Sequence, residues 1–352
     1  MSARLSIIVP VYNQADDSKL TFCMDSLVNQ TIKDYEIIAV DDCSTDDSLE
    51  ILRSYEKKYP DKVRVIACEE NRRQGGAKNL GLRATEAEWI GFIDSDDWIT
   101  PDYYEKLLKK ADETGADVVG CKYSLVYEHT FEKGEELPNC FDKLTGILDY
   151  DKHAGFVLNS GSMVLKIYKR SLFYDNGLWF PEGIFYEDNC LSPLVMLHAT
   201  HFEYIDEANY YYYQQKTSTV HTVSPARCYD RIDAMTYFIE ECFKREFLNE
   251  YPDEIEELYT EMMYVNTLFS YMLGVKWYKR KLSFLKMLRD GIIECFPEYD
   301  TNPYFYEKYD EEVKRMTEMH CRSPFKFMIY FTVKDTYRRI RKIGPYKKDN
   351  NE

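Results

Sequence analysis

WIGFIDSDDW, residues 89–98, is the stretch on which the reading of this chain turns. The apolar run Trp89 to Ile93 stops at Asp94, and the carboxylates Asp94, Asp96 and Asp97 follow, with Ser95 among them. A short apolar segment ending in Asp and Ser reads as a buried strand, and open α/β sheets bind ligands beyond the carboxyl ends of their strands. Carboxylates this close repel each other unless a cation, hydrogen bonds or protonation relieves them. Helix capping explains less. Thr100-Pro101 has the pattern of an N-cap followed by a first-turn proline, which accounts for Thr100 but not for the acids before it. A divalent cation is therefore expected at this strand end.

Working outward, LSIIVPV (5–11) and YEIIAV (35–40) are further apolar runs, ending at Tyr12-Asn13 and Asp41-Asp42. Between them Leu20, Cys23, Met24 and Leu27 recur at helical spacing. A helix over about 46–58 opens after Ser44-Thr45, a strand follows at 63–67, and a helix runs over about 74–85. Such alternation predicts an α/β fold with a doubly wound, mostly parallel, Rossmann-like sheet, whose loops at 11–17, 41–46 and 94–98 open on one edge. After Val118-Val119-Gly120 the alternation lapses, and 121–160 reads as mixed strands. From 226 to 296 apolar residues recur at three and four, as in Met235, Phe238, Ile239, Cys242 and Phe243, so a C-terminal helical region is expected over 223–352.

A chain of 352 residues can bury a large core. Its net charge of -16 argues against nucleic acid as a partner, because affinity for a phosphate backbone rests on Lys and Arg. That charge is uneven: residues 322–348 hold nine Lys or Arg against Asp335 alone, an excess of +8 that leaves -24 on the rest. In this tail Phe325, Phe327, Met328, Ile329, Phe331, Val333, Tyr337, Ile340 and Ile343 are interleaved with the basic residues, the composition of a helix lying on an anionic membrane or of an ordinary packed terminal helix. The ten cysteines are scattered singly, without CxxC pairs or metal spacing, which fits a reduced, cytoplasmic protein. No stretch of about 18 apolar residues is present and no signal-type segment opens the chain, so the expected location is the cytoplasm or the inner face of the membrane.

Taken in order, VPVYN (9–13), VDDCSTDDS (40–48), QGGAKNLGL (74–82), WIGFIDSDDW (89–98) and FPEGIFYEDNCLSPLV (180–195) resemble a family 2 glycosyltransferase of the GT-A fold. The resemblance covers residues 4–222 and closes with the Tyr-rich segment 210–213 and Thr217-Ser218-Thr219. It implies a catalytic domain over 1–222, divided into a nucleotide-sugar half (1–120) and an acceptor half (121–222). The implied reaction is inverting and metal-dependent: a sugar passes from a nucleotide-sugar, UDP-linked, to a hydroxyl of a glycan or lipid-linked acceptor in cell-surface polysaccharide synthesis.

The resemblance also distributes roles. Pro10, Tyr12 and Asn13 lie against the base and ribose, Asp42 takes the base with Asp41 second, and Asp94 with Ser95 faces the ribose and sugar. Lys78 and Asn79 belong to the donor site. Gly75 and Gly76 let the backbone pass close to something, and a phosphate-facing helix start with free amides and a lysine suits a diphosphate. The family usually carries Arg where this chain has Lys78, which favours a point-charge contact over a bidentate one. Asp96, and Asp97 or the loop structure it supports, would hold Mn2+ or Mg2+, hard cations often bound by one or two carboxylates plus substrate phosphates. Acids at a helix start are ordinarily caps or dipole partners, but the resemblance makes Asp188 the general base and Glu187 its neighbour. His221 is a minor donor-site candidate. Two other readings remain open at this point. A nucleotidyltransferase would be expected to carry a Gly-rich basic loop after the first strand, where this chain has VYNQADD; a catalytically inactive nucleotide-sugar scaffold would not need both acidic motifs.

Overall fold

The computed structural model describes residues 3–140, 144–214 and 224–341. By its contacts the chain divides into two compact units, Met1–Ser218 and Thr219–Glu352.

The first unit opens with β1 (Leu5–Val11), α1 (Lys19–Val28), β2 (Tyr35–Asp41), α2 (Ser48–Lys58), β3 (Val63–Ala67), α3 (Arg73–Ala84) and β4 (Trp89–Phe92). Every residue of β1 is buried, as expected of a strand covered on both faces, whereas β3 at the sheet edge alternates between buried and exposed. β2 and β4 flank β1 in parallel, with Ile7 opposite Ile37 and Gly91. Because β1, β2 and β4 run the same way, the segments that follow them leave from one edge of the sheet. β1 passes through Pro10, opposite Val40, and does not stop there. The pairing with β4 ends at Ile8, so Pro10 is flanked by β2 alone and its missing N–H leaves little of the ladder unpaired.

β5 (Trp98–Ile99), α4 (Tyr103–Thr114), β6 (Val118–Val126), β7 (Glu135–Leu137), β8 (Gly146–Ile147), α5 (Tyr150–Leu158), β9 (Lys166–Lys169), α6 (Ser171–Tyr174), α7 (Glu187–His198) and β10 (His201–Tyr213) complete the unit. The main strand order is β3-β2-β1-β4-β9-β6-β10-β5. β9 lies antiparallel to both β4 and β6, so the sheet is parallel in its first half and mixed beyond it. The segment expected as mixed strands up to residue 160 also contains the helix α5, capped by Asp149, whose carboxylate accepts the Lys152 N–H.

The start of α4 differs from the capping pattern read at Thr100-Pro101. Asp102 is the N-cap residue, and Thr100 donates its hydroxyl to Asp102 at 2.7 Å. The helix thus starts two residues later than that pattern implies, at Tyr103. α4 ends at Gly115, whose φ of +75° is a conformation that other residues adopt with strain.

The second unit is helical throughout its described residues: α8 (Pro225–Lys244), α9 (Phe247–Glu250), α10 (Pro252–Tyr259), a π-helical segment (Thr260–Val265), α11 (Asn266–Gly274), α12 (Leu282–Cys295), α13 (Pro303–Lys308), α14 (Glu311–Arg322) and α15 (Pro324–Arg341). Its core includes Met235, Phe238, Ile255, Leu268, Leu285 and Phe327, all fully buried. Among the described residues no helix is long and apolar enough to cross a membrane. All ten cysteines are free thiols.

Candidate active site

The loops after β1, β2 and β4 meet α3 and the start of α7 at the carboxyl edge of the sheet. Backbone strain collects there. Asn13, Cys43, Arg73 and Tyr186 all have positive φ, between 52° and 69°, sparsely populated values for residues with a Cβ.

The first two loops are tied together. Asn13 Oδ1 accepts the Thr45 N–H at 2.8 Å, and Asn13 N–H donates to Ser44 Oγ at 3.1 Å. Tyr12 stands out from this junction, 47% exposed. Asp42 is buried and accepts the Arg72 N–H at 2.7 Å, anchoring the chain that leads into α3; burial raises its carboxyl above the usual range. Asp41 accepts from Ser44 N–H at 3.2 Å through Oδ2, while its buried Oδ1 has no hydrogen-bond partner in the structure.

At the centre, α3, the β4 end and α7 bring together Gln74, Lys78, Asp94, Glu187 and Asp188. Lys78 Nζ lies 2.9 Å from Glu187 Oε1, both side chains only 3% exposed. Burial alone would depress the Lys78 pKa, but Glu187, Asp188 and Asp94 outweigh it and hold the ammonium firmly charged. Asp94 Oδ1 accepts from Gln74 Nε2 at 2.6 Å. Burial pushes the Asp94 carboxyl up to about 6, opposed by Lys78 and reinforced by Asp96 and Glu187. Asp188 is pushed up to about 6 as well, by burial first and Glu187 second, although it accepts the Asn189 N–H at 2.9 Å. Two partly accessible carboxyls poised near neutrality beside a buried cation can exchange protons at physiological pH.

Several of these side chains also make contacts that the sequence does not announce. Lys78, expected on the diphosphate, pairs with Glu187 in this structure, as an ammonium buried among acids does. Asn79, expected in the donor site, is buried as a latch: its amide donates to Phe180 O and Glu182 Oε1 and accepts from Phe180 N–H. Asp97, 1% exposed, spends its oxygens on Tyr210 Oη at 2.6 Å and Tyr213 N–H at 2.8 Å, and so fastens the acidic turn to β10. Those bonds accord with the loop-structure alternative for Asp97. Gly75 and Gly76 face protein and not open space: a Cβ on Gly75 would lie 2.4 Å from Pro181 O, and one on Gly76 would meet the Arg72 side chain at 2.3 Å. Ser95 is buried at the turn, and His221 lies outside the described residues.

Sequence reading missed Gln74 and Glu182. Gln74 was legible as the residue four before Lys78, hence on the same helix face. Glu182 receives Asn79 and lies 3.6 Å from Arg72 and from Arg83, contacts no spacing announces.

For a hard divalent cation, the residues that fit are Asp94 and Asp96. Both are partly accessible and both have carboxyls raised by burial, Asp94 additionally by Asp96, the excess negative charge that a cation would relieve. Among the described residues no group of three or more His, Cys, Asp or Glu is arranged to hold a metal by itself, so substrate oxygens would have to complete the shell.

The family model for glycosyl transferase family 2 matches residues 6–173. GlyG, a glycosyltransferase of Streptococcus pneumoniae, is 30% identical over 229 residues, 62% of this chain and 73% of the relative. An uncharacterized glycosyltransferase of Escherichia coli, YibD, is 31% identical over 219 residues, 61% of this chain and 62% of its own length. Among solved structures, residues 1–349 of Staphylococcus aureus TarS in complex with UDP-GlcNAc superpose with a TM-score of 0.71 at 25% identity, over 96% of this chain and 92% of that one. The matched model, the GlyG coverage and the TarS fold agree with the strand-end acids described above: this chain belongs to the family 2 glycosyltransferases, of GT-A fold.

Proposed function

We propose that the chain transfers a sugar, with inversion, from a UDP-linked donor to a hydroxyl of a glycan or lipid-linked acceptor in cell-surface polysaccharide synthesis. The observation that carries this reading is the convergence of Asp94, Lys78, Glu187 and Asp188 from three elements at the sheet edge, with Asp188 raised to about 6. The UDP-GlcNAc held by TarS supports the choice of donor.

Asp188 accepts the proton of the acceptor hydroxyl as its oxygen attacks the anomeric carbon; the bond from that carbon to the diphosphate oxygen breaks, and the nucleoside diphosphate leaves with the electron pair. A single displacement of this kind needs one base and no protein nucleophile. Glu187 is held by Lys78 at 2.9 Å beside Asp188, where it helps to raise the Asp188 carboxyl. Tyr12 and Asn13 line the base and ribose, Asp42 faces the base, and Asp94 takes the ribose and sugar hydroxyls. Mn2+ or Mg2+, bound by Asp96 with help from Asp94, would neutralise charge on the leaving diphosphate.

The test is a screen of nucleotide-sugars for hydrolysis by the purified chain, which needs no acceptor. Release of UDP from one UDP-sugar supports the reading. Tight binding of a UDP-sugar without hydrolysis or transfer to any added glycan overturns it in favour of a scaffold.

A further inference from the structure

The helical unit carries an apolar surface that its own packing does not use. On α15, Phe327 and Phe331 turn inward, with the Phe327 ring 5.1 Å from His320 of α14 and the Phe331 ring 6.2 Å from Phe269 of α11. On the opposite face Phe325, Ile329, Val333 and Tyr337 follow at intervals of four and Ile340 joins them, each between 49% and 74% exposed. At 3.6 residues per turn these five side chains form one stripe about 120° wide, roughly opposite the buried pair. A helix apolar on two opposed faces is built for a partner on both.

A second observation lies in a different segment of the same unit. Residues 276–281 read Lys-Trp-Tyr-Lys-Arg-Lys. Arg280 fastens this loop to α15: its guanidinium donates to Thr332 Oγ1 at 2.7 Å and stands 3.9 Å from Asp335, and its Nε donates to Val275 O at 3.0 Å. With Arg280 turned inward, the neighbours turn out. Trp277 is 68% and Tyr278 60% exposed, their rings edge to face at 5.7 Å, and Lys276, Lys279 and Lys281 are exposed beside them. On α15 itself Lys326 is exposed next to Phe325.

The chemistry of this surface selects its occupant. Exposed Trp and Tyr beside lysines match the headgroup level of a bilayer, where an amphipathic ring is wet at one end, and lysines around an apolar stripe match anionic lipid. A second copy of the chain fits less well, since a two-fold pairing of this stripe would set the same lysines against each other. We propose that α15 and the Trp277-Tyr278 loop together lie in the plane of an anionic bilayer. The apolar side chains enter the headgroup boundary, and Lys276, Lys279, Lys281 and Lys326 meet lipid phosphates. The inference goes beyond the transfer chemistry and does not depend on the donor.

The experiment is cosedimentation of the full chain with vesicles of phosphatidylcholine alone or mixed with phosphatidylglycerol. The chain is expected to sediment with the mixed vesicles only, less so as salt rises, with a blue shift of Trp277 emission. Replacing Lys276, Lys279 and Lys281 by Gln weakens partitioning about fivefold per lysine, hence about a hundredfold together. Trp277→Ser with Tyr278→Ser, both on an exposed loop, abolishes the spectral shift while the circular dichroism spectrum and UDP-sugar hydrolysis stay unchanged. The proposal is overturned if the chain ignores anionic vesicles, or if the lysine and aromatic variants bind as well as the parent. A dimer in sedimentation velocity that Val333→Asp dissolves, without vesicle binding, would overturn it too and assign the stripe to a second copy.

Discussion

Asp188 sits where a carboxyl is hard to ionise, half-buried at the start of a helix with Glu187 beside it, and its pKa rises from 3.8 to about 6. A base works only when deprotonated, so turnover should fall about tenfold per pH unit below about 6 and level off above it, measured as kcat against pH with saturating donor. Asp188→Asn should lower kcat by about two to four orders of magnitude while calorimetry finds donor affinity nearly unchanged; unaltered turnover would remove Asp188 as the base. The sign for stability is the opposite. A folded-state value above the unfolded one favours folding below the unfolded pKa, and that advantage is lost as pH rises through about 6, so at neutral pH the Asn variant should melt higher than the parent. Asp97 gives a contrasting case. Tyr210→Phe strips a 2.6 Å hydrogen bond from a buried carboxyl and should destabilise the fold by about 1.5–3 kcal/mol in urea titration.

At the scale of elements, the site depends on how closely α3 approaches the segment leading into α7. Gly75 permits that approach, since a Cβ there would lie 2.4 Å from a backbone oxygen that no rotamer change can move. Gly75→Ala should therefore destabilise the protein by about 1–3 kcal/mol and lower kcat more than donor affinity, because the displaced segment carries Glu187 and Asp188; an enzyme with parental kcat would refute this. The elements themselves were legible. The apolar runs at 5–11, 35–40 and 89–93 each became a strand, and the spacing before and after 226 separated an α/β part from a helical one. The antiparallel entry of β9 between β4 and β6 was not legible. Lys166–Lys169 is a short apolar-polar run like others in the chain, and only its pairing partners, distant in sequence, fix its direction.

For the whole molecule, the proposed metal can be tested without assigning each ligand. Turnover should vanish in chelator and return with Mn2+ or Mg2+, followed as UDP release; full turnover in chelator would sink the metal assignment, while Asp188→Asn would still report on the base. The chain spans 62% of the length of the Escherichia coli relative, so acceptor and product belong to the proposal and are not read from kinship. Sequence alone determined the family, the strand-end position of the acids and the basic character of the tail, because each is written in local order: apolar runs, turn residues and charge counts. Only the tertiary structure decided which partners each acid meets. Asp94 and Asp188 are 94 positions apart in number, yet share Lys78 and its charge. Asp97 is drawn off by Tyr210 and Tyr213, Asn79 by Phe180 and Glu182. A carboxylate's task depends on its burial and on partners that arrive from elsewhere in the chain, and neither can be read from its neighbours in sequence.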